Sequence, residues 1–517
     1  MRLHELVKAL HDFRIVLVAN PEITSIEVDS REVKNGSLFI CIEGYNVDGH
    51  NYVKEAIANG AVAIVAKRDV EADIPVIKVR STVRALAILA NAFYDNPTAK
   101  MHMIGITGTN GKTSVAHLIH DILRKSGQNT GLVGTIGMKI NEEEFAAQNT
   151  TPDSLTLQKM FQQMVNAGVD TAIMEVSSHA LHIGRIHGCQ YDISVFTNLT
   201  QDHLDYHKTM DAYRAAKSLL FAQLGNSYNV KHPKYAILNA DDEATAEYIV
   251  ASQGIIITYG IENDADIMAR DIKTTSRGTT FTLIMKDVER VVQMGLVGKF
   301  NVYNILATIG ACLASGLKLN SILESIQDLA SVPGRFELVD AGQDFNVIVD
   351  YAHTPDGLEN VLTTIGEFTA GKIYCIIGCG GDRDKSKRPI MAEIASDLSD
   401  YPIFTSDNPR TEDPVAILND MEAGAKQKSY QIIVDRKEAI EYAINEATSG
   451  DVVLIAGKGH ESYQIIGEKI LDFDDRKVAR NAIEKKSSKL FKIFKRWFQN
   501  RQGLSLKNLS VLNKRKN

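Results

Sequence analysis

The 517-residue sequence predicts an α/β protein of three domains, a small leading unit followed by two larger units built around parallel sheets. Three observations predict it. The chain is too long for one hydrophobic core. Short apolar, β-branched runs alternate with helical stretches over most of its length, which is the pattern of βαβ units. One such run, Met103-Ile104-Gly105-Ile106, leads straight into a glycine-rich turn and then a helical stretch.

The first unit is expected over residues 1–99. Its opening, MRLHELVKALHDFRIV, reads as a short amphipathic helix with acids and bases mixed. It lacks the basic start, apolar block and small-residue cleavage site of a signal peptide. Strands are expected at Ser37 to Cys41 and Ala61 to Ala66, with helices from Tyr52 to Asn59 and Thr82 to Tyr94. The last of these stops at Asp95-Asn96-Pro97, where proline cannot continue a helix.

A second unit spans 100–333. After Met103 to Ile106, strands are expected at Thr171 to Val176, Asp192 to Leu199 and Tyr235 to Asn239, and a helix from Asn301 to Ser315 closes the unit. A third, 334–484, repeats the style with short buried strands at Val347 to Asp350, Lys372 to Ile377, Gln431 to Val434 and Asp451 to Ala456. Residues 485–517 form a basic tail.

Charge and cysteine usage narrow the function classes. The net charge is −7, yet Lys485 to Asn517 holds eleven Lys or Arg and no Asp or Glu, so residues 1–484 carry −18. An acidic body excludes general nucleic-acid binding. Five scattered cysteines, with no second pair beside Cys375 and Cys379, offer neither a disulfide framework nor a zinc site. No run reaches the roughly 18 apolar residues that span a bilayer, and a cytoplasmic monomer is expected.

In Thr107-Gly108-Thr109-Asn110-Gly111-Lys112-Thr113-Ser114 a strand, a glycine turn and a helix N-terminus come together, so backbone amides face an anion. Gly108 and Gly111 permit close approach, Lys112 suits the β- and γ-phosphates, and Thr113 offers a hydroxyl to Mg²⁺. The first glycine of the general phosphate-loop pattern falls at Gly105, one place early. Magnesium needs further oxygen ligands. Glu175 ends an apolar strand, where a charge is costly unless it meets a cation, although a salt bridge to a structural arginine would serve equally. His203, in a polar cluster after another strand, is a second candidate ligand, with a structural histidine as the competing reading.

Ten motifs in order, TGTNGKTS, EVSSHAL, TNLTQDHLDYH, YRAAKSLLF, GKFNVYN, PGRFE, VDYAHTP, GCGGDRDKSKRP, SDNPRTEDP and AGKGHE, resemble those of the Mur ligases, in particular members that add the third amino acid of the muramoyl peptide. The resemblance runs from about Ser30 to Arg480. It implies a UDP-sugar-binding domain, a central P-loop ATPase sheet and a C-terminal Rossmann-like sheet. It also implies an ATP- and Mg²⁺-dependent ligase acting on UDP-N-acetylmuramoyl-dipeptide through an acyl phosphate. By the same resemblance Lys217 is the lysine that CO₂ converts to a carbamate able to support Mg²⁺. Residue types alone would make it a helix-surface lysine.

The resemblance places Lys112, Lys217, His203 and Glu175 in catalysis, the last three with Thr113 at the metal. It places Gly108, Thr109, Asn110, Gly111, Lys112, Thr113, Ser114, Asn301, Arg335 and Asp350 at ATP, with His353 nearby. Ser30, Asn149, Thr150, Thr151, Ser177 and Arg185 match positions that hold the muramoyl-dipeptide, though Ile183 stands where some relatives have glutamine. Arg383, Asp407, Asn408, Pro409, Arg410, Gly457 and Glu461 match contacts to the incoming amino acid. Arg410 is a rigid donor suited to a carboxylate, and meso-diaminopimelate differs from lysine by a second one, so diaminopimelate is the expected substrate. A salt bridge from Arg410 to Glu412 or Asp413 is the competing reading, and lysine the competing substrate. A folylpolyglutamate synthetase would lack Asp-Asn-Pro-Arg, and a non-catalytic scaffold would have lost Lys112, Glu175, His203 or Lys217.

In the tail, Leu490, Phe491, Phe494, Trp497 and Phe498 fall on one helical face among Lys489, Lys492, Lys495 and Arg496. A basic amphipathic helix of this kind reads as a membrane-surface or partner-binding element, or as an end that docks on its own protein or stays disordered.

Overall fold

A computed structural model describes residues 1–16, 19–44, 47–145, 149–225, 233–425 and 429–501, with side chains described as far as Ser488. The chain divides into two compact units, Met1–Ala330 and Ser331–Asn517.

The first unit holds two sheets. In the smaller, Ser25–Glu27, Ser37–Ile40, Ala61–Ala66 and Val76–Lys78 run parallel, and Arg14–Val16 adds an antiparallel edge. The expected N-terminal helix is shorter than its pattern suggested. Leu3–Leu6 is helical, Val7–Ala9 tightens to a 3-10 turn, and Arg14–Val16 is drawn into the sheet by pairing with Val76–Lys78. The helix Thr82–Phe93 ends as expected before Pro97, where Asp95 and Asn96 both take left-handed backbone.

The larger sheet has eleven strands. At its centre His102–Thr107 lies between Thr171–Glu175 and Ile193–Phe196, all parallel. Alternation along the central strand covers both faces: Ile104 and Ile106 pack with the helices Lys112–Lys125 and Lys299–Ala314, while Met103 joins Phe161, Leu220 and Phe221 on the other side. An antiparallel meander, Ile267–Thr275, Gly278–Met285 and Val288–Met294, extends one edge. The βαβ reading missed it, although Arg277-Gly278 and Lys286-Asp287 punctuate alternating runs there.

In the second unit Asn346–Asp350, Val452–Ala456, Ile373–Ile377, Tyr401–Phe404 and Gln431–Ile432 form a parallel sheet in that order, edged by antiparallel Glu337–Leu338. A terminal helix, Asp475–Arg501, crosses position 485 without interruption. Ala479, Ala482 and Ile483 anchor it in the core, and Lys486 Nζ donates to the carbonyls of Ile444, Asn445 and Ala447 at the end of the helix Arg436–Glu446. The side chains of Leu490, Phe491, Phe494, Trp497 and Phe498, and all of 502–517, lie outside the described residues.

The first residue of that helix is held by a fully buried fork. Arg436 Nε and Nη2 donate to Asp475 at 2.8 and 2.7 Å, and Nη2 also donates to the carbonyl of Ala456 at 2.9 Å. Removing one partner strands the other charge in the core. Asp475→Asn is therefore expected to cost about 3–5 kcal/mol of stability, read from the shift in denaturant midpoint. A loss below about 1 kcal/mol would mean that water reaches the guanidinium.

Candidate active site

The phosphate loop owes its shape to its neighbours. Gly108 (φ +151°) and Gly111 (φ +85°) leave no room for a side chain, because a Cβ would meet Thr197 Oγ1 at 1.8 Å and Asn304 Oδ1 at 2.6 Å respectively. Thr109 and Asn110 amides donate to Asn198 O and Oδ1 at 2.8 Å, and Thr197 Oγ1 donates to Asn110 O at 2.6 Å. Lys112 Nζ curls onto the carbonyls of Gly108 and Thr109 at 2.9 and 2.7 Å. Ser114 lies buried in the first turn of the helix. Gly105 is not part of this loop. It sits mid-strand, where a side chain would strike the Tyr191 ring at 2.8 Å, and that packing accounts for the irregular glycine spacing.

Strand register brings Glu175 beside the loop, opposite Ile106. Its carboxylate is 1% exposed and accepts from Thr113 Oγ1 at 2.9 Å and from Thr135 N and Oγ1 at 2.8 and 3.0 Å. All three donors are neutral, and among the described residues no arginine or other cation pairs with it. A buried carboxylate beside a phosphate-loop hydroxyl, held only by neutral donors, is a fit for Mg²⁺.

Lys217 is buried in the helix Met210–Ala222 and donates to Gly108 O at 2.7 Å, with its ammonium 4.4 Å from the centre of the Tyr213 ring. Among the described residues no carboxylate pairs with it. Burial first, and the nearby charge of Lys112 second, hold its pKa well below the ordinary lysine value. A helix-surface lysine it is not.

His203 takes left-handed backbone (φ +55°), half-buried, with Nε2 3.3 Å from Asp202 and its ring edge-on to His179 at 4.9 Å. Burial, with His179, Lys112 and Lys217 around it, pushes its pKa far down against the pull of Asp202. The neutral ring that results is the metal-binding form.

Thr151 links the end of the Glu175 strand to the next loop. Its hydroxyl donates to Glu175 O at 2.8 Å and accepts from Ser177 N at 3.0 Å, while Arg185 Nη1 donates to Thr151 O at 2.8 Å. Ser177 caps the helix Ser178–Ile183 through Ala180 N. Thr150 Oγ1 lies 3.1 Å from Thr135 Oγ1, and Asn149 is exposed beside it. Ile183 is 40% exposed at the helix end. Asn301 is buried, donates to Val297 O at 2.9 Å and accepts from Asn304, the residue that abuts Gly111. Ser30 stands apart in the smaller sheet's domain, buried, with its carbonyl held by Asn59.

In the second unit the parallel strands end together and carry two clusters. In one, buried Asp350 accepts from the amides of Phe336 and Ala352 at 2.7 Å, and the Arg335 guanidinium lies 4.4 Å from the centre of the Tyr351 ring. Burial raises the Asp350 pKa, and Arg335 opposes the rise. His353 packs edge-on to the same Tyr351 ring.

In the other, Arg410 takes left-handed backbone (φ +52°), a strained state for a bulky residue and a mark of functional sites. Its Nη1 donates to Gly381 O at 2.7 Å, and a Cβ on Gly380 would meet it at 2.9 Å and Arg383 Cγ at 3.8 Å. Neither expected acid pairs with it. Glu412 is held by Arg388 and Lys385, and Asp413 caps the helix Pro414–Glu422. Asp407 lies against Gly457, where a side chain would meet its carboxylate at 2.9 Å, and Pro409 O lies against Gly381. Asn408 Nδ2 donates to Glu461 Oε2 at 2.8 Å, and burial with Asp407 nearby raises the Glu461 pKa.

Three family models match the chain: the Mur ligase family catalytic domain over residues 22–94, the Mur ligase middle domain over 106–312, and the Mur ligase glutamate ligase domain over 334–459. A Bacillus cereus relative, UDP-N-acetylmuramoyl-L-alanyl-D-glutamate--2,6-diaminopimelate ligase, is 60% identical over 483 residues, which is 93% of this chain and 98% of that protein. The chain belongs to the Mur ligase family. A Geobacillus thermodenitrificans Mur ligase of the same name is 54% identical over 94% of this chain and its own full length. A solved structure of a ligase of that name is 32% identical with a TM-score of 0.67, covering 94% of this chain and all of the other. The MurF ligase of Thermotoga maritima, solved with ADP, shares the fold at 20% identity and a TM-score of 0.63, over 90% and 98% of the two chains.

Several residues of this Mur ligase site escaped the sequence reading. Thr135, Thr197, Asn198, Tyr213 and Asn304 shape the phosphate loop and its carboxylate, and Tyr351 and Lys458 organise the second unit. All but Thr135 lie within the quoted motifs, so a local signal existed for them, while Thr135 comes to Glu175 only through the fold.

Proposed function

We propose that the chain joins meso-2,6-diaminopimelate to the γ-carboxylate of the D-glutamyl residue of UDP-N-acetylmuramoyl-L-alanyl-D-glutamate, at the expense of ATP, in peptidoglycan synthesis. The observation that carries the amino-acid choice is Arg410, strained, beside Arg383, and without an ion pair among the described residues. A second carboxylate on the substrate supplies the partner that its fork lacks. The names of the relatives agree.

The carboxylate oxygen attacks the γ-phosphorus and ADP leaves. The amine then attacks the acyl carbon, phosphate departs and the amine gives up its proton. Lys112 would exchange the Gly108 and Thr109 carbonyls for phosphate oxygens. Thr113, Glu175, His203 and a carbamylated Lys217 would hold Mg²⁺, which supplies countercharge to the transferring phosphoryl group. Lys217 suits carbamate formation because burial favours its neutral amine, the form that attacks CO₂. We assign Asn301, Arg335 and Asp350 to the nucleotide. Ser30, Asn149, Thr150, Thr151, Ser177 and Arg185 are assigned to the muramoyl-dipeptide, and Arg383, Asp407, Asn408, Pro409, Arg410, Gly457 and Glu461 to diaminopimelate. All five cysteines are free, which supports a cytoplasmic enzyme.

The test supplies ATP, Mg²⁺ and the UDP-muramoyl-dipeptide with either meso-diaminopimelate or L-lysine, and follows phosphate. Release with lysine alone overturns the substrate, and release with neither overturns the reaction.

The tail supports a contact with anionic lipid. Among the described residues no helix is long and apolar enough to cross a membrane. The nine bases without an acid from Lys489 onward, with Trp497 and three phenylalanines between them, suit a negatively charged surface. Ending the chain at Lys486 keeps the anchored turns of the terminal helix. That truncation is expected to abolish sedimentation with phosphatidylglycerol vesicles at low salt, and unchanged sedimentation sinks the idea.

A further inference from the structure

Lys458 is a buried cation of the second unit, its side chain 0% exposed, and no step above uses it. Its Nζ donates to Glu461 Oε2 at 3.0 Å and to Asn408 Oδ1 at 3.1 Å, and it lies 5.5 Å from the centre of the Tyr463 ring. Asn408 Nδ2 donates to the same Oε2 at 2.8 Å, so one carboxylate oxygen carries two donors while Oε1 has none among the described residues. Asn408 is fastened in turn, its Oδ1 also accepting from Ile465 N at 3.0 Å in the hairpin Tyr463–Ile466/Lys469–Asp472.

We propose that Lys458 is a positioning and specificity residue of the amino-acid site: it locks one oxygen of Glu461, keeps the carboxylate ionised, and so leaves Oε1 as the acceptor for the substrate's distal ammonium. The inference rests on the amino-acid assignment made above.

The physical argument is one of countercharge. Glu461 is largely buried and faces Asp407, and both facts favour its neutral form. A neutral carboxyl cannot pair with an ammonium. Lys458 and the Asn408 amide oppose this most directly, and Arg436 adds a weaker pull. Tyr351 and Tyr463 also face the cluster, and the Arg436–Asp475 fork lies behind it with its own charge satisfied. Because Lys458 and Asn408 share Oε2, the lysine stabilises Glu461 without competing for the oxygen that an incoming amine would take. Glu461 and Lys458 lie three residues apart, so the pairing is built into one turn.

The test uses the full chain and steady-state phosphate release. Lys458→Met, close in shape and uncharged, is expected to raise KM for meso-diaminopimelate at least about tenfold, with KM for ATP within about twofold of the parent. Glu461 would then keep its proton to higher pH, so the acid limb of kcat/KM for diaminopimelate moves upward by about one pH unit, a tenfold change in proton affinity. Glu461→Gln raises the same KM, and adding Lys458→Met to it is expected to change little, because the lysine acts through the carboxylate. Additive effects in the double variant, or an unmoved acid limb, overturn the proposal. If the unmodified chain does not use diaminopimelate at all, it is the amino-acid assignment that fails. A raised KM for ATP together with a lowered unfolding midpoint in Lys458→Met means structural damage, and overturns the positioning role.

Discussion

Lys217→Met is expected to lower kcat by about 10³-fold or more, the scale of losing a preorganised charge at a phosphoryl-transfer centre. Lys217→Arg separates the two roles open to this side chain. Arginine keeps a positive charge but stays protonated and cannot become a carbamate. Were Lys217 a cation for the phosphates, arginine would retain much of the rate; as a carbamate it loses as much as methionine does. Stripping CO₂ and bicarbonate from the unmodified enzyme should depress the rate, and adding bicarbonate should restore it. A rate indifferent to CO₂, together with an active Lys217→Arg, refutes the carbamate. The basis for the larger effect is local: a buried amine donating to Gly108 O, with no acid paired to it among the described residues.

Arg410→Ala is expected to reduce kcat/KM for meso-diaminopimelate by about 10²-fold, the loss of two charge-assisted hydrogen bonds worth about 1.5 kcal/mol each or more. Turnover with L-lysine, which has no distal carboxylate, should change little, so the preference between the two substrates collapses. Arg410→Lys should recover only part of it, since an ammonium cannot present a fork. An equal fall for both amino acids would make Arg410 a structural residue of the loop that Gly467 N and Ile465 O hold at its backbone.

How much was legible beforehand differs from residue to residue. The phosphate loop was readable because its chemistry is local: strand, two glycines, lysine and threonine within a few positions. The meander from Ile267 to Met294 was not, since three strands with short turns were subsumed under a strand–helix rhythm. The N-terminal helix was overextended because amphipathic spacing there competes with pairing to Val76–Lys78, a contact sixty or more residues away.

Glu175 and Arg410 mark the boundary more sharply. Each had two readings in the sequence, ligand or salt-bridge partner, and the groups that stand opposite leave the salt bridge unformed among the described residues. Glu175 meets threonines and no arginine, and Glu412 and Asp413, the acids expected to pair with Arg410, are engaged by Arg388, Lys385 and a helix end. Gly105 changed meaning in the same way, from a misplaced loop glycine to space for Tyr191.

The sequence by itself determined the α/β class, the phosphate loop and the ordered motifs of a Mur ligase, because periodicity and short-range spacing are properties of neighbouring residues. Only the tertiary structure decided that Lys217 is buried rather than on a helix surface, that Glu175 and Arg410 lack ion-pair partners among the described residues, and that Lys458 stands behind Glu461. Burial and countercharge depend on groups brought together from distant positions, and those set the protonation state and the free valence of each side chain.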